Sequence, residues 1–323
     1  VLKVSETRQK TVKIFRTQDG TAEILKEVVK GAGLRGKRTV FVKPNMSHPG
    51  YIPGVVTDPI LLSELVSLLR DEAEEVIVGE SNGFNYPCRS AFEKTGIESA
   101  VKKAGGAVIN LSDDKVVKVN FPDSCPLKRL FLPKTVMDAD AVVDVGLMKT
   151  HEFAVYSGAI KNLFGCVPSD RRIYLHPYLP QVFYRLYTFF KPQLTVMDAR
   201  VGIEGNGPTK GNPVKMDLML TSNDALALDI TATKIMCLDW KQTYLGYIAA
   251  KTGLHEEAIN VEGLQVNQVK RRFEPPRIDL PVKAQMEIYK HEYLTKLLFC
   301  SLDIVKLFQK VTVAYRGKPI EVG

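Results

Sequence analysis

Ala141-Val142-Val143-Asp144-Val145-Gly146-Leu147-Met148-Lys149-Thr150-His151 is the stretch on which the reading of this chain turns. Its apolar, β-branched opening, Ala141–Leu147, has the composition of a strand. The polar Lys149-Thr150-His151 then follows at the strand's carboxyl end. Ser157-Gly158-Ala159-Ile160-Lys161-Asn162, Gly165, Asp170-Arg171-Arg172 and His176 come next. Side chains of this kind are costly to order unless they bind or catalyse something, so the block marks a candidate site.

Outward from this stretch, short β-branched runs alternate with helix-period segments. Strands are expected at Thr39–Lys43, Glu75–Gly79, Ala107–Leu111, Leu194–Asp198 and Met216–Thr221. Asp58-Pro59 opens a helix, with an acid at the N-cap, proline at the first helical position and Leu61, Leu65, Leu68 and Leu69 on one face. Further helices are expected at Phe92–Ala104, stopped by Gly105-Gly106, at Tyr178–Phe190, and from Asn223 or Asp224 to about Cys237. Val116–Phe121 and Lys128–Leu132 flank a Pro-Asp-Ser-Cys-Pro turn and read as a hairpin added to the main sheet. The fold class is α/β, a mostly parallel sheet flanked by helices, with that hairpin and a C-terminal helical extension. Residues 1–265 are read as the core domain carrying the site, and residues 266–323 as an extension packing on it. Arg271-Arg272-Phe273-Glu274-Pro275-Pro276 has the composition of a linker. His291–Lys310 is an amphipathic helix whose Leu294, Leu298, Leu302, Val305 and Phe308 share one stripe. Packing on the core would cover that stripe; a homodimer contact or a membrane surface are the alternatives.

Gly31-Ala32-Gly33-Leu34-Arg35-Gly36 matches the spacing of a dinucleotide fingerprint but lies in the wrong order. It follows the helix-like Ala22–Lys30 and precedes a strand, whereas the fingerprint follows a strand and opens a helix. It is read as a helix stop and turn.

The chain has 323 residues, ordinary apolar and charged fractions, and a net charge of +8. Basic residues are interspersed with acids and form no aromatic-interleaved stripe, so a nucleic-acid partner is not expected. No transmembrane run and no signal-peptide layout are found, which makes a cytoplasmic location the expectation. The five cysteines, Cys88, Cys125, Cys166, Cys237 and Cys300, are scattered without a C-x-x-C pair, so a locally held iron–sulfur cluster is not expected.

Four polar loops follow four expected strands: Lys43-Pro44-Asn45-Met46-Ser47-His48, Glu80-Ser81-Asn82-Gly83, Lys149-Thr150-His151, and the run from Asp198 into Gly202-Ile203-Glu204-Gly205-Asn206-Gly207-Pro208-Thr209. If the strands are parallel, all four loops open on one sheet edge, where α/β proteins bind ligands. Lys43, Lys149 and Lys161 suit a carboxylate or phosphate, and a buried lysine can also act as a nucleophile. His151 and His176 suit metal ligation or acid–base work. Asp198 and Glu204 suit a hard cation or the orientation of a histidine. Asn45, Ser81, Asn82 and Asn162 supply neutral polar contacts to the same cleft. His48, His255 and His291 read as solvated.

The ordered motifs K-P-N, T-D-P, G-E-S, K-T-H, G-A-I-K-N-L-F-G, a downstream histidine and E-G-x-G-P-T-x-G resemble the family described as domain of unknown function number 362 over residues 38–240. Iron–sulfur chemistry in that family goes with an appended ferredoxin module that these residues do not contain. His151 through Lys161 and Gly165 to His176 is also similar, more distantly, to a segment of the lactate racemase amino-terminal domain. That resemblance implies a catalytic role for His151, a nickel–pincer nucleotide on Lys161 and metal ligation by His176. Glu80-Ser81-Asn82-Gly83 stands where the racemase has a further catalytic histidine. The combined expectation is an enzyme acting on a small anionic substrate with a metal or nucleotide-like cofactor. His151 and Lys161 are the catalytic candidates, and His176 and Asp198 the metal candidates. The alternative is a non-catalytic carrier or maturation protein for a metal cofactor.

Overall fold

Eleven strands were identified in the computed structural model, which describes residues 9–83, 86–121, 127–168 and 172–299 and the single positions 304, 307 and 310. They are β1 (Lys10–Arg16), β2 (Lys37–Lys43), β3 (Ala73–Glu80), β4 (Ala107–Asn110), β5 (Val116–Asn120), β6 (Arg129–Pro133), β7 (Ala141–His151), β8 (Val155–Ser157), β9 (Leu194–Glu204), β10 (Asn212–Ser222) and β11 (Ile259–Gly263). Nine of them form one sheet in the order β11-β1-β10-β9-β7-β2-β3-β4, with β8 hydrogen-bonded to β7. The run β9-β7-β2-β3-β4 is parallel throughout, while β10 pairs antiparallel with both β1 and β9.

Alternation along the strands divides the core between the two faces of the sheet. Val40, Val42, Val143, Val145 and Val196 pack with Leu25, Leu62, Leu65 and Phe92 on one side. Phe41, Val142, Met197 and Leu218 pack with Phe183, Leu186, Leu228 and Leu245 on the other. Helices Thr21–Gly31, Pro59–Arg70 and Ile97–Lys103 therefore cover the first face, and Leu179–Phe190, Ala225–Ile235 and Tyr244–Thr252 the second. Two helix starts follow the capping rule read from sequence. The Asp58 carboxylate accepts from the Ile60 N–H at 2.8 Å, and that of Asp224 from Leu226 and Ala227. The segment Gly31–Gly36 is a helix end and turn leading into β2, with Gly33 and Gly36 at positive φ.

Three departures from the sequence reading lie outside the strands of the main sheet. β5 and β6 form a separate two-stranded sheet and do not join the main one. The helix expected at Phe92–Ala104 is two, Cys88–Lys94 and Ile97–Lys103, divided at Gly96, whose φ of 75° is left-handed. The linker-like Arg271–Pro276 is strapped to the core: Arg271 and Phe273 donate their N–H groups to the Ile235 and Met236 carbonyls, and the Phe273 ring is buried. The C-terminal helix expected at His291–Lys310 opens at Glu292 and is described to Phe299, and a further helix, Leu280–Tyr289, precedes it. Leu302, Val305 and Phe308 of its expected stripe lie outside the described residues, as do Cys125, Cys300, Asp170 and Arg171. Among the described residues no helix is long and apolar enough to cross a membrane.

Candidate functional site

Because β9, β7, β2 and β3 are adjacent and parallel, their carboxyl ends do share an edge. A cleft of about 260 Å³ opens there. The loop after β2 contributes Asn45, Met46 and Ser47, the loop after β3 contributes Glu80, Ser81, Gly83 and Tyr86, and the loop after β9 contributes Pro208. The segment after β7 supplies Ser157, Lys161, Asn162, Phe164, Gly165 and Arg172.

A buried polar network forms the floor. The Lys43 ammonium donates to the Pro44 carbonyl at 2.6 Å and pairs with the Glu80 carboxylate, which also accepts from the Ser81 N–H. Burial pushes the Glu80 carboxyl up, and the neighbouring Lys43 and Arg172 oppose that shift. The Asn162 amide donates to Asp144 at 2.7 Å and to the Lys43 and Val145 carbonyls, and it accepts from the Asn45 amide at 3.0 Å. The other oxygen of Asp144 has no partner among the described residues. Burial pushes that carboxyl well above the usual range. Lys149, fully buried, donates to Asn45 Oδ1 at 2.8 Å, Ser47 Oγ at 3.0 Å and the Val55 carbonyl at 3.1 Å. Burial pushes its pKa well down, and the Lys161 and Lys43 charges add to the effect.

Lys161 and Asn162 sit on a short turn of helix, Ala159–Asn162, anchored from behind by Asp229. That buried carboxylate accepts from the Ala159 N–H at 2.8 Å, the Ile160 N–H at 2.9 Å and the Tyr156 hydroxyl at 2.9 Å. Burial raises the Asp229 pKa to about 7 despite these three donors. Gly158 is required here, since a Cβ on it would lie 2.0 Å from Tyr156 Oη and 2.2 Å from Asp229 Oδ1. The half-buried Lys161 ammonium has no hydrogen-bond or ion-pair partner among the described residues. Burial, with Arg172 nearby, lowers its pKa to about 8. Ser81 Oγ, at the same cleft, is buried and likewise without a partner among the described residues. The Arg172 guanidinium donates to the Asn82 carbonyl.

His151 lies beside this group without lining the cleft. Its Nδ1 accepts from the Phe153 N–H at 3.1 Å and the Ala154 N–H at 3.4 Å, which places the proton of the neutral ring on Nε2. Burial, reinforced by Lys161, Lys149 and His176, pushes its pKa well down. The His176 ring is stacked on Tyr289 with centroids 4.3 Å apart, and Tyr289 also meets Phe153 edge-on at 5.9 Å. The C-terminal segment thus covers the histidine side of the site.

The structure does not bring every sequence candidate to the cleft. Asp198 is paired with Arg200 at 2.7 Å, together with Asp58, in a separate depression. Its carboxylate is committed to that guanidinium, so it is not placed beside His176 as a metal ligand. Glu204 accepts from the Glu274 N–H and holds the C-terminal strap. The Asn82 side chain caps the Cys88 N–H and accepts from Asn110, so only its backbone serves the site. Arg172, Asp144, Asp229 and Tyr289 were not assigned roles from sequence. An acid inside the apolar run Ala141–Leu147 was the available signal for Asp144, and none pointed to Tyr289. Among the described residues no group of three His, Cys, Asp or Glu side chains is placed to hold a metal ion.

Comparison with known proteins gives three similarities. A thylakoid-associated protein of Synechocystis is 27% identical over 209 residues, covering 62% of this chain and 63% of that protein. The lactate racemase of Lactiplantibacillus plantarum is 27% identical over 147 residues, 43% of this chain and 32% of the racemase. The lactate racemase apoprotein structure from Thermoanaerobacterium thermosaccharolyticum superposes with a TM-score of 0.45 at 16% identity, covering 71% of this chain and 57% of that one. The chain therefore spans less than two thirds of the length of each. Residues 40–234, which include most of β2, all of β3, β7 and β9 and the whole cleft, match the family described as Domain of unknown function (DUF362), and the chain belongs to that family.

Proposed function

We propose that the cleft is the active site of an enzyme that acts on a small anionic substrate. One observation carries this reading. A half-buried ammonium, that of Lys161, faces a cavity with no partner among the described residues, beside a guanidinium and an unpartnered buried hydroxyl. Ordering such groups without partners is costly, and an anion between them offsets that cost.

The protonation pattern suggests how the work is divided. His151, a neutral ring with its proton on Nε2, lies beside the cleft and not in its lining, which suits it to positioning the site and not to contact with the substrate. Taking up a proton would require Nδ1 to release its backbone bonds. Lys161, at about 8, is better matched to losing and regaining a proton near neutral pH. The sequence expectation of proton transfer by His151 is accordingly moved to Lys161.

A nickel-bearing nucleotide, implied by the racemase resemblance, fits these residues only in part. Lys161 suits attachment of an anionic group. The His176 face is occupied by Tyr289, and Asp198 is tied elsewhere. No step is assigned to a metal on this donor set.

The similarity to lactate racemase makes 2-hydroxy acids the first substrates to try. Lactate and related acids, with and without a phosphate ester elsewhere on the molecule, would be incubated with the protein in D2O and followed by proton NMR. Loss of the carbon-bound proton with wild type, absent with Lys161→Met, is the expected result. Retention of a small anion without turnover of any acid would favour the carrier reading. Absence of both anion binding and exchange would overturn the site itself.

A further inference from the structure

The charges around the cleft set the valence of its ligand. We infer that the group seated between Lys161, Arg172 and Ser81 is a phosphoryl dianion of a phosphate monoester, and not a carboxylate. This deepens the anion-site reading above and rests on it.

Lys43 and Glu80 form a buried pair and cancel. Lys149 meets no carboxylate: its amine contacts Asn45 Oδ1, Ser47 Oγ and the Val55 carbonyl, all neutral. Asn45 and Ser47 themselves line the cleft, so this amine stands directly behind its wall with no acid beside it.

Lys161 is a cation without a carboxylate partner among the described residues. Arg172 is a second, and Glu80, the acid whose charge acts on it, is already paired with Lys43. Burial pushes the Asp144 carboxyl well above its usual range, away from the anionic form that would offset them. The excess is at least two positive charges around one cavity. A carboxylate neutralises one of them; a phosphoryl dianion neutralises two and has three oxygens to distribute. Lys161 serves as a point charge, Arg172 as a planar fork, and Ser81 Oγ as a short hydroxyl donor. The cavity, at about 260 Å³, leaves room for a small organic group beside the phosphoryl.

Isothermal titration at low salt and pH 7.5 would use inorganic phosphate, glycerol 3-phosphate, adenosine monophosphate, acetate and lactate. The phosphate-bearing probes are expected to bind at least about tenfold more tightly than the carboxylates. Lys161→Met should weaken phosphate binding by about tenfold or more and Ser81→Ala by a few-fold. Lys215→Met, an exposed lysine outside the cleft, should leave it unchanged. Phosphate affinity should rise as pH is raised from 5.5 to 7.5, where the second proton leaves, and fall again above about 8 as Lys161 loses its charge. Tighter binding of glycerol 3-phosphate than of the nucleotide would make a small ester the source of the phosphoryl, and the reverse order a nucleotide. Carboxylates binding as tightly as phosphate would overturn the dianion assignment and leave the anion site standing. No binding by any probe, with Lys161→Met indistinguishable from wild type, would overturn both.

Discussion

Replacing Lys161 by methionine should make the protein more stable while removing its function. The side chains are similar in length, so packing is little changed, and no hydrogen bond to the ammonium is lost among the described residues. What changes is the cost of holding a charge at the cleft. The pKa of Lys161 falls from 10.5 to about 8 on folding, mainly through burial. Below pH 8 the folded protein therefore carries a penalty of about 3 kcal/mol, at about 1.4 kcal/mol per pH unit. Solvent on the open side of the half-buried chain reduces this to about 2 kcal/mol. The sign follows from proton binding: between pH 8 and 10.5 the unfolded chain holds more protons than the folded one, so wild-type stability rises across that window. Urea denaturation in anion-free buffer should show Lys161→Met about 2 kcal/mol more stable at pH 7, with the difference gone near pH 10.5. A destabilised variant, or a gain that persists at pH 10.5, would refute the assignment of Lys161 as an uncompensated site cation.

Three further outcomes are expected. Asp229→Asn keeps one acceptor oxygen and sets an amide donor against either the Ala159 or the Ile160 N–H, and should cost about 2 kcal/mol in urea denaturation. It should also weaken phosphate binding through displacement of Lys161, and unchanged binding would show that the turn holds itself. Tyr289→Ala should uncover His176 and speed its modification by diethyl pyrocarbonate; an unchanged rate would mean that the C-terminal segment does not cover the histidines. Among the three cysteines of the described residues, exposed Cys237 should react with a thiol reagent at once, whereas Cys88 and Cys166, buried and with pKa values raised by burial, should react only on unfolding. Equal rates would contradict the packing around Glu80.

Legibility from sequence followed the range of the interaction involved. β2, β3 and β4 were readable because apolar β-branched runs in a covered parallel sheet need no partner to identify them. β7 and β9 were read short, since Lys149-Thr150-His151 and Ala199–Glu204 look like loop by composition. They stay extended because β8 and β10 pair with them, which is tertiary information. β1 and β11 were missed for the same reason: each has few buried residues, and they pair across some 250 positions of chain. In the site, residues next to a strand end, Lys43, Asn45, Ser81, Lys149, Lys161 and Asn162, were legible because topology alone sends them to one edge. Asp198 and Glu204 obeyed the same topology and still failed, since nothing in their local sequence announced that Arg200 and the Glu274 backbone would take them.

The cationic surplus also explains why the supporting shell is so extensively bonded. Lys43 has Glu80, Lys149 has three neutral acceptors, and Asp229 clamps the turn that carries Lys161. Each of these groups is buried and satisfied, so each can hold position without a ligand. Lys161 and Ser81, which both line the cavity, have no side-chain partner among the described residues. A fold that only needed to be stable would distribute its unpaired groups toward bulk solvent or replace them by apolar residues of similar size. Here two unpaired donors share one cleft at the edge of the sheet while the groups behind them are fixed. Such an arrangement lowers the cost of ordering the site when an anion arrives, because only the ligand remains to be immobilised.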